Sequence, residues 1–106
     1  MYTIIETKVF QKYAADLWNE GEREEFIAWL AKNPEAGDVI QGTGGLRKVR
    51  WSKQGTGKSG GVRVIYFNRL ENGLIWLLIA YSKSKFDTLP TEFLNKLKAG
   101  MENYGH

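Results

Sequence analysis

Residues 62–81 read VRVIYFNRLENGLIWLLIAY, and this stretch decides the fold. Val62 to Phe67 is β-branched and aromatic, and Leu74 to Tyr81 is almost wholly apolar, the composition of strands with buried sides. Between them Asn72-Gly73 is the dipeptide favoured in a two-residue type I′ hairpin turn. The two runs are predicted to be neighbouring antiparallel strands. Upstream, Leu46 to Trp51 alternates, with Arg47, Val49 and Trp51 on one side and Leu46, Lys48 and Arg50 on the other, as a half-buried strand does. A glycine-rich connection from Lys53 to Gly61 joins it to the hairpin.

Further out, Tyr2 to Glu6 reads as a short strand. Phe10, Tyr13, Ala14, Leu17 and Trp18 then recur at helical spacing. Asn19 and Gly21 offer a helix stop, and a second helix carrying Phe26, Ile27 and Leu30 runs to Asn33, where Pro34 ends it. Residues 34–45 are too rich in glycine and turn formers for regular structure and read as a loop. A last helix spans about Leu89 to Met101 with Pro90 in its first turn. The order β-α-α-β-β-β-α describes an α+β domain over residues 1–106, with helices packed on one face of a small, largely antiparallel sheet.

Composition narrows the possible chemistry. With 106 residues, 42% of them hydrophobic and 13% aromatic, the chain can bury a core and is not of the disordered type. It has no cysteine and a single histidine, His106, so a disulfide framework, a thiolate metal site and a structural zinc are not expected. The first residues lack the pattern of a secretory signal, and the apolar run from Leu74 to Tyr81 is too short to span a bilayer. A cytoplasmic, membrane-free location is the expectation.

Charge is unevenly distributed. Residues 1–38 hold eight acids and four bases, residues 71–106 hold four of each, and residues 39–70 hold seven bases and no acid. Those bases are Arg47, Lys48, Arg50, Lys53, Lys58, Arg63 and Arg69. Such a stretch cannot neutralise itself locally and presents a positive field suited to a polyanion such as nucleic acid. Within it, the segment Ser52 to Ser59 ends in Gly57-Lys58-Ser59 like a phosphate-binding P-loop, but Ser52 stands where the first glycine belongs. A strand, not a helix, follows, which removes the amides such a loop needs.

The only histidine is His106, so histidine-paired ribonuclease chemistry and serine–histidine acyl transfer have no internal base. The basic strands carry no carboxylates for a two-metal centre. Lysine and arginine remain. They can orient a phosphodiester and stabilise its transition state during attack by the RNA's own 2′-hydroxyl, without metal or cofactor.

Three segments sharpen this reading: Gly44-Gly45-Leu46-Arg47-Lys48-Val49-Arg50-Trp51, Gly61-Val62-Arg63-Val64-Ile65-Tyr66 and Ile79-Ala80-Tyr81-Ser82-Lys83. With the element order, they resemble the RelE/HigB family of toxins from bacterial type II toxin–antitoxin systems, and GDVIQGTGGLRKVRW at 37–51 resembles the HigB branch. The resemblance implies an endoribonuclease that enters the ribosomal A site, cuts translated mRNA and is neutralised by a HigA-like antitoxin with a helix-turn-helix domain. It also implies that Lys48 and Arg50 lie against the mRNA backbone, that Arg63 holds the scissile phosphate, and that Lys83 or Lys85 assists the leaving group. Arg47, Lys53, Lys58, Lys85 and Tyr81 complete the expected RNA-contacting set. The family's catalytic tyrosine falls where this chain has Phe86, and Tyr81 is the closest phenol. Two other readings stand beside it: a ParE-like toxin that acts on DNA gyrase through protein contacts, and a non-catalytic RNA-binding module. Arg63 also has a plain structural alternative, an ion pair with Asp87 or another acid at the sheet edge.

Overall fold

The computed structural model describes residues 2–52 and 61–102. Its elements are β1 (Thr3–Glu6), α1 (Lys8–Ala14), α2 (Glu20–Lys32), β2 (Asp38–Val39), β3 (Arg47–Trp51), β4 (Val62–Arg69), β5 (Leu74–Ser82) and α3 (Thr91–Glu102). The strands form one five-stranded sheet in the order β1-β5-β4-β3-β2. Only the outer β1 pairs in parallel, with β5; the remaining pairings are antiparallel. The α+β class and the largely antiparallel sheet are as expected from the sequence. Among the described residues no helix is long and apolar enough to cross a membrane.

The structure adds one strand to the expected order. Asp38 and Val39 pair antiparallel with Lys48 and Arg47, inside the stretch read as loop. Two residues make no periodic signal, so β2 exists because β3 offers it a ladder, which the Ile40 amide extends to the Leu46 carbonyl at 2.8 Å.

Asn19 is likewise a start and not a stop. Its side chain accepts from the Glu22 amide at 2.8 Å while Glu22 accepts from the Asn19 amide at 3.0 Å, a capping box that opens α2. Helix α1 accordingly ends at Ala14, and a turn carries Leu17 and Trp18 onward to the core. At the other end of the sheet, Arg69 pairs with Leu74, so four residues close the hairpin instead of two. Leu70–Asn72 form a 3₁₀ turn, and Gly73 at φ 73° takes the left-handed conformation that reverses the chain.

The helices are divided between the faces of the sheet, which corrects the expectation that all lie on one. Phe10, Ala14, Phe26 and Leu30 of α1 and α2 pack with Val49, Val64, Tyr66, Leu77 and Ala80. Leu94 and Met101 of α3 pack with the oppositely directed Leu46, Ile65, Ile79 and Tyr81. The physical reason lies in β4 and β5, which carry apolar residues at successive positions and so need cover on both sides. Polar ties from α3 to the loop before β3, Lys98 to the Gly44 carbonyl at 3.1 Å and Asn95 to that of Gly42 at 3.3 Å, hold the helix in place.

Register within the central hairpin is interrupted once. Ile65 faces Ile79 but the next residue, Tyr66, faces Leu77, so Leu78 is an extra residue in β5.

Candidate nucleic-acid interface

Residues directly opposite on neighbouring strands point to the same face. Arg50 faces Arg63, and Arg63 faces Tyr81, so these three form one row across β3, β4 and β5. Lys48 begins the next row of that face, opposite Ile65 and Ile79. The face is the one covered further along by α3. Towards the ends of these strands apolar packing gives way to Lys48 and Arg50, both exposed, and Arg63, half-buried.

Two arginines directly opposite one another repel. Among the described residues no ion pair joins Arg63 to Asp87. Its Nη1 is buried without a hydrogen-bond partner among the described residues. A guanidinium nitrogen in that state is costly unless something else supplies the acceptor. An acid does approach the second row: Asp38 of β2 lies opposite Lys48, where the sequence placed only loop.

Tyr81 is 2% exposed. Burial pushes its phenol above the ordinary value of 10.0, and the charge of Arg63 pulls it partly back. It packs edge-on against Phe86 at 6.0 Å between ring centroids, and Phe86 lies 6.3 Å from Tyr13 of α1. The Lys85 ammonium sits over Tyr13 at 5.5 Å and Phe86 at 6.0 Å. Sequence periodicity assigned Tyr13 to helix packing and gave no sign that it reaches this corner. Lys83 is exposed in the turn after β5, where Ser82 and Ser84 share a hydrogen bond of 3.0 Å.

The structure thus brings Lys48, Arg50, Arg63 and Tyr81 to one face, with Lys85 at its margin. Arg47 lies on the opposite face and donates to the carbonyl of Gly37 at 2.7 Å. Lys53 and Lys58 lie outside the described residues. Among those described, no three His, Cys, Asp or Glu side chains gather as a metal site. The arrangement suits electrostatic grip on a phosphodiester: fixed cations on rigid strands, one with an unfilled donor.

Against solved structures, this architecture superimposes on an arginine-to-alanine double variant of the Escherichia coli toxin RelE in the free state, with TM-score 0.62, 12% identity, and coverage of 92% of this chain and 96% of that one. The chain has the RelE fold. A copper-bound variant of a toxin from Helicobacter pylori is more distant, with TM-score 0.44, 16% identity, and coverage of 81% of this chain and 99% of that one. Compared with models of known protein families, the sequence matches none. The likeness is one of fold; the chemistry of the basic row is a property of this chain's own residues.

Proposed function

We propose that the chain is the toxin of a toxin–antitoxin pair, of the HigB-like branch, and a ribosome-dependent mRNA endoribonuclease acting in the cytoplasm. The observation that carries the reading is the row Arg50–Arg63–Tyr81 with Lys48 beside it, on a face whose buried Arg63 Nη1 has no acceptor of its own. A phosphate oxygen supplies that acceptor. Arg63 and Arg50 grip the scissile phosphate, and Lys48 steadies the 2′-hydroxyl as it attacks the adjacent phosphorus. The 2′-oxygen gives up its proton to solvent and bonds to phosphorus as the bond to the 5′-oxygen breaks, leaving a 2′,3′-cyclic phosphate and a 5′-hydroxyl. The departing oxygen takes up a proton from solvent in the field of Lys83 or Lys85.

Lysines and arginines are poor proton acceptors at neutral pH because they are charged there. The ribosome completes the reaction by fixing the mRNA in the geometry for in-line attack, so naked RNA is cut slowly. The partner expected to silence the toxin is a HigA-like antitoxin with a helix-turn-helix domain. The deciding experiment is induced expression followed by mapping of mRNA 5′ ends. Cleavage inside translated frames is expected; intact mRNA accompanied by DNA damage sinks the reading in favour of a gyrase poison.

A further inference from the structure

The face opposite the basic row carries a polar network that packing alone does not require. The hydroxyl of Tyr66, a fully buried residue of β4, donates to the Pro34 carbonyl at 2.8 Å and accepts from the Gly37 amide at 2.8 Å. Asn68 also donates to the Pro34 carbonyl, at 2.7 Å. From β3, Arg47 donates to the Gly37 carbonyl at 2.7 Å. Residues 34–37 are therefore held to the sheet at both Gly37 peptide groups, and β2 follows immediately.

Gly37 also touches the backbone that matters for the row. A Cβ at this position would lie 2.8 Å from the Lys48 carbonyl oxygen and 2.9 Å from its carbon, a contact real side chains do not make. Glycine lets the segment press directly on the Lys48 peptide, and Asp38, the next residue, is the register partner of Lys48. Without this segment β3 would be the sheet edge. Its main chain would then be free to twist at the residue whose exposed side chain must keep a fixed direction.

We propose that Tyr66 and Arg47 are positioning residues that act through Gly37 and β2 to fix the main chain of Lys48. The proposal rests on the reading of the opposite face as an RNA-cleaving one. It assigns Arg47, the basic residue of β3 on the wrong face for RNA, a task in the same reaction. Because Lys48 is held by its backbone, its ammonium can stay exposed to substrate and still be aimed, which is how a supporting shell serves a site built on strands.

The test is a double-substitution cycle on cleavage of ribosome-bound mRNA, using the full chain. Tyr66→Phe keeps the ring and removes the hydroxyl; it should lower the saturated cleavage rate about tenfold, the scale of a modest misplacement, while the half-saturating ribosome concentration is unchanged. Added to Lys48→Ala, it should cost nothing further, because the side chain it aims is gone. Arg47→Met, which leaves the Tyr66 anchor intact, should behave the same way and serves if Tyr66→Phe does not fold. Full activity in both variants, or losses that multiply undiminished with that of Lys48→Ala, would overturn the proposal. Amide exchange separates this failure from that of the underlying reading: Tyr66→Phe should speed exchange at 36–40 and 47–48 by about tenfold, with the centre of β5 unchanged. If the parent protein cuts nothing on the ribosome, the RNA-cleaving reading falls, and unchanged exchange in Tyr66→Phe would separately dismiss the clamp.

Discussion

The two faces of the sheet treat their polar groups differently. Towards α1 and α2, Tyr66 and Arg47 are joined to named backbone groups within 2.8 Å, and the aromatic residues Trp18, Trp29 and Trp51 close around Phe26 at centroid distances of 5.2, 6.2 and 5.5 Å. Towards α3, Arg50 and Arg63 face one another and the buried Arg63 Nη1 goes without an acceptor among the described residues. The difference teaches how a small domain divides its labour. One face ties Tyr66 and Arg47 to backbone groups and leaves only an uncharged amide oxygen, Asn68 Oδ1, short of a partner among its described residues; the other leaves like charges facing one another, which on the proposed reading a phosphate completes.

Apart from Tyr66 and Arg47, which act on Lys48 from behind, substitutions on the two faces should therefore separate folding from activity. The largest effect is expected on the closed face: Phe26→Ala, which empties a fully buried site, should cost about 3–5 kcal/mol in a denaturant melt while the surviving folded fraction keeps its cleavage rate. Next, Arg63→Ala should not lower the melt, since it relieves a repulsion and a buried unpartnered donor, and should lower cleavage of ribosome-bound mRNA by roughly 10²–10³-fold, with Arg63→Lys recovering only part because lysine lacks the bidentate fork. A parental cleavage rate in a well-folded Ala variant would break the comparison.

Thr7 offers a smaller, purely structural contrast. It is buried, its hydroxyl donates to the Leu77 carbonyl at 2.8 Å and accepts from the Phe10 amide at 3.2 Å, capping α1. Thr7→Ala should cost about 1–2 kcal/mol in stability without altering cleavage by the folded protein.

The smallest effect is a pH dependence shared by both faces. Burial raises the phenols of Tyr66 and Tyr81 above 10.0 in the folded state. The native protein then holds these protons more tightly than the unfolded chain, so their contribution is complete below pH 10 and is lost as pH rises from there through the folded values. Melting temperatures between pH 9 and 11.5 should fall, and the fall should be shallower in Tyr66→Phe and Tyr81→Phe.

What the sequence made legible follows from periodicity. The β3, β4 and β5 strands were readable because alternation and β-branched runs are local, and Lys48 and Arg50 were placed together by the same alternation that set Arg47 apart. The face assignment of Arg47 was thus already present in LRKVRW, although its charge argued for RNA. β2 was not legible, since Asp38-Val39 becomes a strand only through β3 and the Tyr66–Gly37 tie, which joins positions 29 residues apart. Asn19 is ambiguous for a related reason: the same residue types suit the end of one helix and the start of the next, and Glu22 three positions on was the signal for a start. The position of α3 on the second face was implied by the unbroken apolar character of β5, which no single covering layer can satisfy.

The bulge at Leu78 sets the parity of β5. Were Leu78 paired in its turn opposite Ile65, Arg63 would fall beside Ala80, and Tyr81 would turn into the opposite layer of the molecule beside Val62. Looping one residue out of the ladder therefore determines whether the arginine's neighbour is a methyl group or a phenol. Loss of Leu78 itself would leave Arg63 opposite Tyr81 in an unbroken ladder, whereas closing the bulge with Leu78 retained would exchange the two neighbours more completely than any point substitution, while leaving the pairs from Tyr66 to the turn as they are.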